Sequence, residues 1–383
     1  MRKICVFTGT RAEYGLLKPL LDEIKSDSEL LLSLLVSGMH MSPEFGLTYK
    51  GVESDGFKID EKVEMLISSD TSVGLCKSVG LGIISFSDAL THLSPDIFVV
   101  LGDRFEAFAA ASSAMFLRIP IAHIHGGELT EGVIDDAIRH SITKMSHIHF
   151  VSTELYRKRV IQLGESPDSV FNVGAIGLEN IRKLKLLSKK DFESKIGFSI
   201  GKEESVLVTF HPVTLESNTA QNQFQNLLDA LPKVKVIFTK ANADTDGRII
   251  NKMIDDYVAK HPKNTIAFTS MGQLLYLSAM SHVSAVVGNS SSGIIEAPSF
   301  KVPTVNIGDR QRGRIKSKSI IDCEPTKEAV FDALKQSMSH EFKASIKDTI
   351  NVYEKENTAS SIKAILKTTN LNNILKKKFY DIG

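Results

Sequence analysis

The most constraining feature of this chain is a repeated rhythm. A short apolar run is closed by a burst of polar residues and followed by an amphipathic stretch. Its clearest instance spans residues 96–140, DIFVVLGDRFEAFAAASSAMFLRIPIAHIHGGELTEGVIDDAIRH. Runs 97–101 and 119–124 predict buried parallel strands, and the alanine-rich segment 107–117 predicts the crossover helix between them. The first run closes on Gly102, Asp103, Arg104 and Glu106, the second on His123, His125, Gly126, Gly127 and Glu128. Asp135, Asp136, Arg139 and His140 follow at helical spacing. Open α/β sheets bind ligands outside the carboxyl ends of their strands, where these bursts fall. Carboxylates and histidines beside an arginine predict proton transfer on an anionic substrate.

The rhythm runs along the whole chain. Strand 4–7 closes on GTRAEYG (9–15), strand 30–36 on SGMH (37–40), and a long helix covers 71–93. Strands 148–151 and 170–173 complete a first half. In the second, strand 206–210 ends at His211, and strand 234–239 leads into Asn242 and Asp244. Strand 266–268 leads into Met271 and Gly272, 283–287 into GNSSSG (288–293), and 302–307 into GDRQRGR (308–314). Two such series predict an α/β protein of two doubly wound, Rossmann-like domains with a cleft between them. The expected boundaries are 1–180, a lysine-rich linker 181–202, a second domain 203–365, and a C-terminal helix 366–383 packing on the first domain. A length of 383 residues suits that division. The first turn is neither GxGxxG nor GK[ST], so no dinucleotide fingerprint or P-loop is predicted.

A net charge of +1 gives no field for nucleic acid or an anionic membrane, so an anion must be held by local groups. The three cysteines form no CxxC, which argues against zinc and disulfides and for a reducing cytoplasm. The first residues are too sparsely apolar for a signal peptide, and no run reaches the roughly 18 apolar residues of a membrane span. Asn289, Ser290 and Ser291 would offer hydroxyls and amides to a phosphate at a helix start, or merely cap that helix. Alternation puts Arg310, Arg312 and Arg314 on one side of an extended segment, facing either one anion or solvent. The acidic set reads as acid/base machinery rather than a metal site, although Asp135–Arg139 and Asp136–His140 also fit ordinary helix pairs.

Taken together, GTRAEYG, SGMH, LGDRFE, HIHGGE, IDDAIRHSITKMSH, HPVT, NADTDGR, GNSSSGIIE and NIGDRQRGR resemble the UDP-N-acetylglucosamine 2-epimerases, most closely their hydrolysing branch in sialic-acid-type sugar synthesis. The resemblance covers nearly the whole chain and implies the two-Rossmann fold of B-type glycosyltransferases with UDP in the cleft. It implies no metal or other cofactor, a cytoplasmic enzyme and a homo-oligomer, dimer or tetramer. It implies anti elimination of UDP, then hydration of the resulting glycal to free N-acetylmannosamine. By the same resemblance Arg11, Ser290, Ser291 and Arg310 handle the diphosphate, with His211 nearby. Asn242, Met271, Gly272 and Glu296 hold base and ribose, while His40, Arg104 and Asn289 complete the substrate contacts. Asp103 and Asp135 match the catalytic carboxylates, with Asp136 an alternative to the second. Where many members have glutamate this chain has His125, so either His125 or Glu128 supplies that proton-transfer group. Beside UDP-N-acetylglucosamine stand three other readings: hydrolysis of UDP-N,N′-diacetylbacillosamine for legionaminic acid, a non-hydrolysing epimerase, and a sensor without turnover.

Overall fold

The computed structural model describes residues 1–383 except 68, 70, 202, 203, 217, 218, 242–245 and 383. Seven parallel strands form a first sheet: β1 (Arg2–Thr8), β2 (Leu30–Ser37), β3 (Glu61–Val63), β4 (Ile97–Leu101), β5 (Ile121–Ile124), β6 (Ile148–Val151) and β7 (Val170–Asn172). Their order is β3-β2-β1-β4-β5-β6-β7. A second parallel sheet holds β8 (Ser205–Thr209), β9 (Lys235–Thr239), β10 (Thr265–Phe268), β11 (Ala285–Gly288), β12 (Thr304–Ile307) and β13 (Ile320–Cys323). Its order is β10-β9-β8-β11-β12-β13. Both orders reverse once, at β1/β4 and at β8/β11, and such a reversal opens a crevice at the strands' carboxyl ends.

The central strands are uniformly apolar because helices cover both faces. All five residues of β4 are buried, and each such side chain contributes about 1.5–3 kcal/mol. The sequence signals for β3 and β13 were too weak to predict them. Both are edge strands, three and four residues long and carrying Glu61, Lys62 and Asp322, so they show neither an apolar run nor a clean alternation.

The chain divides into two compact units. One comprises Met1–Glu128, Asp135–Asn180 and Tyr353–Gly383; the other comprises Leu129–Ile134 and Ile181–Val352. Three expected boundaries therefore need correcting. Segment 181–202 is no linker: Lys189–Ile196 is a helix capped by Ser188 and ended by Gly197. Its Phe192 and Ile196, one turn apart, are buried with Leu207 and Met280 in the second unit's core. Residues 129–134 leave the first unit's count, with the Glu131 amide donating to the Arg312 carbonyl (3.3 Å) and the Ile134 amide to Thr214 Oγ1 (3.0 Å). The C-terminal helix is Thr358–Thr368, earlier than expected, with Ile362 and Leu366 in the first unit's core. The residues after it are not helical. They are held by Lys377, which donates to the Lys144 and Ser146 carbonyls and to Glu165.

The long helix runs Ser72–Leu93. Its Gly82 lets it approach Met65 and Ala109, where a Cβ would meet atoms at 2.8 and 3.1 Å. Among the described residues it is one helix long and apolar enough, by length and composition, to cross a membrane. Its inner residues Phe86, Ala89 and Leu90 are instead packed in the first unit's core.

Candidate active site

In the first unit the polar residues gather where β1, β4 and β5 end. Thr10 and Glu13 form a capping box: Thr10 Oγ1 accepts the Glu13 amide, and Glu13 Oε2 accepts the amides of Gly9 (2.8 Å) and Thr10 (3.2 Å). GTRAEYG is thus a helix start that presents Arg11 in its first turn. Burial lowers the Arg11 pKa to about 10, and its head has no hydrogen bond or ion pair with any described residue. A cation held half out of water without a partner favours an incoming anion.

His40 is fully buried between Thr8 Oγ1 (3.1 Å) and Thr48 Oγ1 (2.8 Å). Thr8 gives its own proton to the Thr10 carbonyl, so Nε2 of His40 donates and Nδ1 accepts. Burial, with Arg11 nearby, pushes its pKa down to about 4. With both nitrogens committed, the ring acts as a neutral pin for the turn, whereas a substrate contact was expected of it.

Beyond β4, Gly102 takes a left-handed conformation and its carbonyl accepts from His123 Nε2 at 2.7 Å. A carbonyl can only accept, so His123 carries its proton on Nε2, and complete burial lowers its pKa to about 3. This pin aims the next residue, Asp103. Arg139, 1% exposed, donates Nη2 to Asp103, and Nη1 to Asp136 Oδ1 (3.1 Å) and the Glu128 carbonyl (2.9 Å). One buried guanidinium therefore gathers two carboxylates from separate elements. Sequence reasoning paired Arg139 with Asp135; the structure pairs it with Asp136, three residues away, and with Asp103. Asp135 is half-buried at the start of the Asp135–Met145 helix.

His125 follows β5 with φ of 69°, an uncommon conformation for a residue with a side chain. It brings Nδ1 to 3.4 Å from Glu128 Oε1, which accepts from Ser152 Oγ at 2.9 Å. Gly127 allows the turn, since a Cβ there would lie 2.6 Å from the Tyr156 carbonyl. Arg104 reaches Glu106, a fully buried carboxylate packed beneath Gly9 and Gly38.

In the second unit a different set gathers where β8 and β11 end. Asn289, fully buried, accepts the His211 amide on Oδ1 (2.7 Å) and donates Nδ2 to the His211 carbonyl (2.8 Å). Its own carbonyl accepts from Arg310 Nη1 (3.0 Å) and Gln311 Nε2 (2.9 Å). Asn289 is thus an organiser, fixing His211 and Arg310 about Ser290, where a ligand contact was expected. Gly288 is obligatory, because a Cβ there would come within 1.9 Å of the Thr209 carbonyl. Ser290 caps a helix of only five residues, Ser291–Ile295, so the helix dipole offers little. Ser292 Oγ donates to Ser290 Oγ (3.1 Å) and pairs with the Tyr276 hydroxyl (2.5 Å).

The three-arginine alternation does not hold, because residues 309–314 form turns and Arg312 lies exposed beside Asp309. Met271 is buried in the core, Gly272 has φ of 75° with open space where a Cβ would stand, and Glu296 ends the short serine helix. Asn242 lies outside the described residues. Sequence reasoning missed Tyr276, Ser152 and Gln311. Tyr276, one turn after Gly272, had a usable signal as a phenol set between Leu275 and Leu277.

The UDP-N-acetylglucosamine 2-epimerase family model matches residues 22–367. A GDP/UDP-N,N′-diacetylbacillosamine 2-epimerase (hydrolyzing) of Campylobacter jejuni is 45% identical, over 100% of this chain and 99% of that protein. The polysialic acid biosynthesis protein P7 of Escherichia coli is 40% identical, over 100% and 98%. Among solved structures, a UDP-GlcNAc 2-epimerase from Neisseria meningitidis bound to UDP-GlcNAc superposes with a TM-score of 0.81. That match covers 96% of this chain and 100% of that one at 21% identity, a likeness of fold.

Proposed function

This chain belongs to the UDP-N-acetylglucosamine 2-epimerase family of enzymes, and we propose that it hydrolyses UDP-N,N′-diacetylbacillosamine with inversion at C2. UDP-N-acetylglucosamine, first choice from sequence, becomes the second reading. The 45% identity to a diacetylbacillosamine enzyme favours the former, and the 40% identity to a polysialic acid biosynthesis protein keeps the latter in play.

The reaction removes the C2 proton as UDP leaves C1, giving an unsaturated sugar. Water then adds hydroxyl at C1 and a proton at the opposite face of C2, releasing UDP and the free 2-epimeric sugar. A C2–H bond is weakly acidic, so the departing diphosphate has to be stabilised while the proton moves. Proton traffic is assigned to Asp103, Asp135 and the His125–Glu128 pair. Asp103 is fixed by Arg139; His125, with Nδ1 turned to Glu128, exchanges protons through Nε2. The diphosphate is assigned to Arg11, Ser290, Ser291, Arg310 and His211, and base and ribose to Asn242, Met271, Gly272 and Glu296. Arg104 is assigned to the sugar.

The observation that carries this reading is the buried Arg139 holding Asp103 at the end of β4. Such a group serves no purpose in mere nucleotide binding. The test is incubation in D2O with each sugar nucleotide, UDP- and GDP-linked, followed by NMR. Free UDP and a free 2-epimeric sugar deuterated at C2, formed fastest from the diacetamido substrate, is the expected result. An equilibrating pair of UDP-sugars, or no turnover, would overturn it.

A further inference from the structure

The C-terminal tail, residues 369–382, has no part in the reading above and lies beyond residues 22–367 that match the family model. It is nevertheless firmly seated on the first unit. Gly164 leaves room for the Phe379 ring, which a Cβ there would strike, and its carbonyl accepts the Tyr380 amide at 2.9 Å. The Lys144 ammonium lies 5.2 Å over the same ring. This seat delivers Lys377 to the carboxyl end of the Asp135–Met145 helix. Its Nζ donates to the carbonyls of Lys144 (2.8 Å) and Ser146 (2.6 Å) and to both oxygens of Glu165 (2.9 Å each). None of these four acceptors belongs to the tail. Buried Glu165 also accepts from Lys144 Nζ (2.6 Å) and from His149 Nε2 (3.1 Å). Two ammonium groups about one carboxylate leave surplus positive charge, which the partial negative charge of a helix end attracts.

Two routes lead from this cluster to Asp103. Along the helix, Arg139 stands about 10 Å from Ser146 and holds Asp103. Across the sheet, His149 is paired in register with His123, whose Nε2 donates to the Gly102 carbonyl just before Asp103. The two routes meet where His123 Nδ1 lies 3.2 Å from Thr143 Oγ1, on the same helix as Arg139. From this arrangement we propose that Lys377 is a positioning residue for proton transfer at Asp103. By closing the helix end and holding Glu165, it keeps Arg139 and His123 where they aim that carboxylate. The role rests on the proposed assignment of Asp103. Anchoring of the tail alone would not explain why the ammonium directs its bonds to that helix end and to the carboxylate on His149.

Turnover by the full chain, with substrate protonated or deuterated at C2, tests this. Lys377→Met should lower kcat about tenfold and enlarge the isotope effect on kcat at least about 1.5-fold, while the Kd for UDP stays within about twofold. Lys377→Arg, which keeps the charge, should recover most of that loss. Phe379→Ala, which trims the tail's seat without touching the cluster, should leave kcat within about twofold. Should Lys377→Met not fold, Lys377→Gln, with a donor but no charge, carries the same expectation. A merely structural lysine would move stability and leave the isotope effect alone. An inactive wild type overturns the proposed function, and this role with it. An active wild type whose Lys377→Met keeps its kcat or its isotope effect overturns this role alone. So does a Lys377→Arg that fares no better than Lys377→Met, or an equal loss of rate in Phe379→Ala.

Discussion

The two sheets repeat one topology but end in opposite chemistry. Where β1, β4 and β5 finish, the side chains are charged and coupled: Asp103 and Asp136 on Arg139, and His125 on Glu128. Where β8 and β11 finish, they are amides and hydroxyls with the Arg310 guanidinium and the His211 imidazole, organised by Asn289. Coupled ionisable groups set pKa values and move protons. Fixed neutral donors beside a cation hold an anion without titrating. On the proposed assignment, the same fold supplies two rims, one for proton transfer and one for the anion.

The sharpest way to break this contrast is Arg139→Met. Leaving Asp103 and Asp136 without their buried cation should lower kcat at least about 1,000-fold and stability by about 3 kcal/mol, read by turnover and urea unfolding. Loss of stability with normal kcat would make the cluster structural. Next, Arg310→Ala should raise the Kd for UDP about 10- to 100-fold by calorimetry, leaving the shape of the pH–rate profile unchanged. A reshaped profile would mean that Arg310 takes part in the proton transfer. His125→Asn should cost about 100-fold in kcat with UDP affinity retained.

The smallest effect concerns the capping box. Burial and the neighbouring Glu106 raise the Glu13 pKa to about 7, above its ordinary 4.5. The folded state then holds a proton that the unfolded chain has lost, so this group's contribution to stability declines from pH 4.5 to 7 and levels off above. Glu13→Gln, which still accepts the Gly9 and Thr10 amides, should flatten that slope in unfolding measurements at pH 5 and 8.

How much was legible follows from periodicity. Strands 97–101 and 148–151 were readable to the residue because buried parallel strands are unbroken apolar runs. The helix at 189–196 was not, because Phe192 and Ile196 alone anchor it amid lysines. Among site residues, Asp103, His125 and Glu128 stood out by following strands. The partnership of Asp103 with Arg139 spans 36 positions and depends on where the sheet order sets β4 beside β5. Likewise, His40 and Asn289 read as substrate contacts in sequence, and the hydrogen bonds that hold their side chains appear only in the fold.

Asp103→Asn puts the division of labour to its most direct trial, with kcat and the Kd for UDP measured on the same preparation. The account predicts turnover reduced at least about 1,000-fold with UDP affinity within about twofold of wild type. A Kd rising in step with the loss of rate would show that Asp103 holds the nucleotide, and the contrast between the two rims would be false.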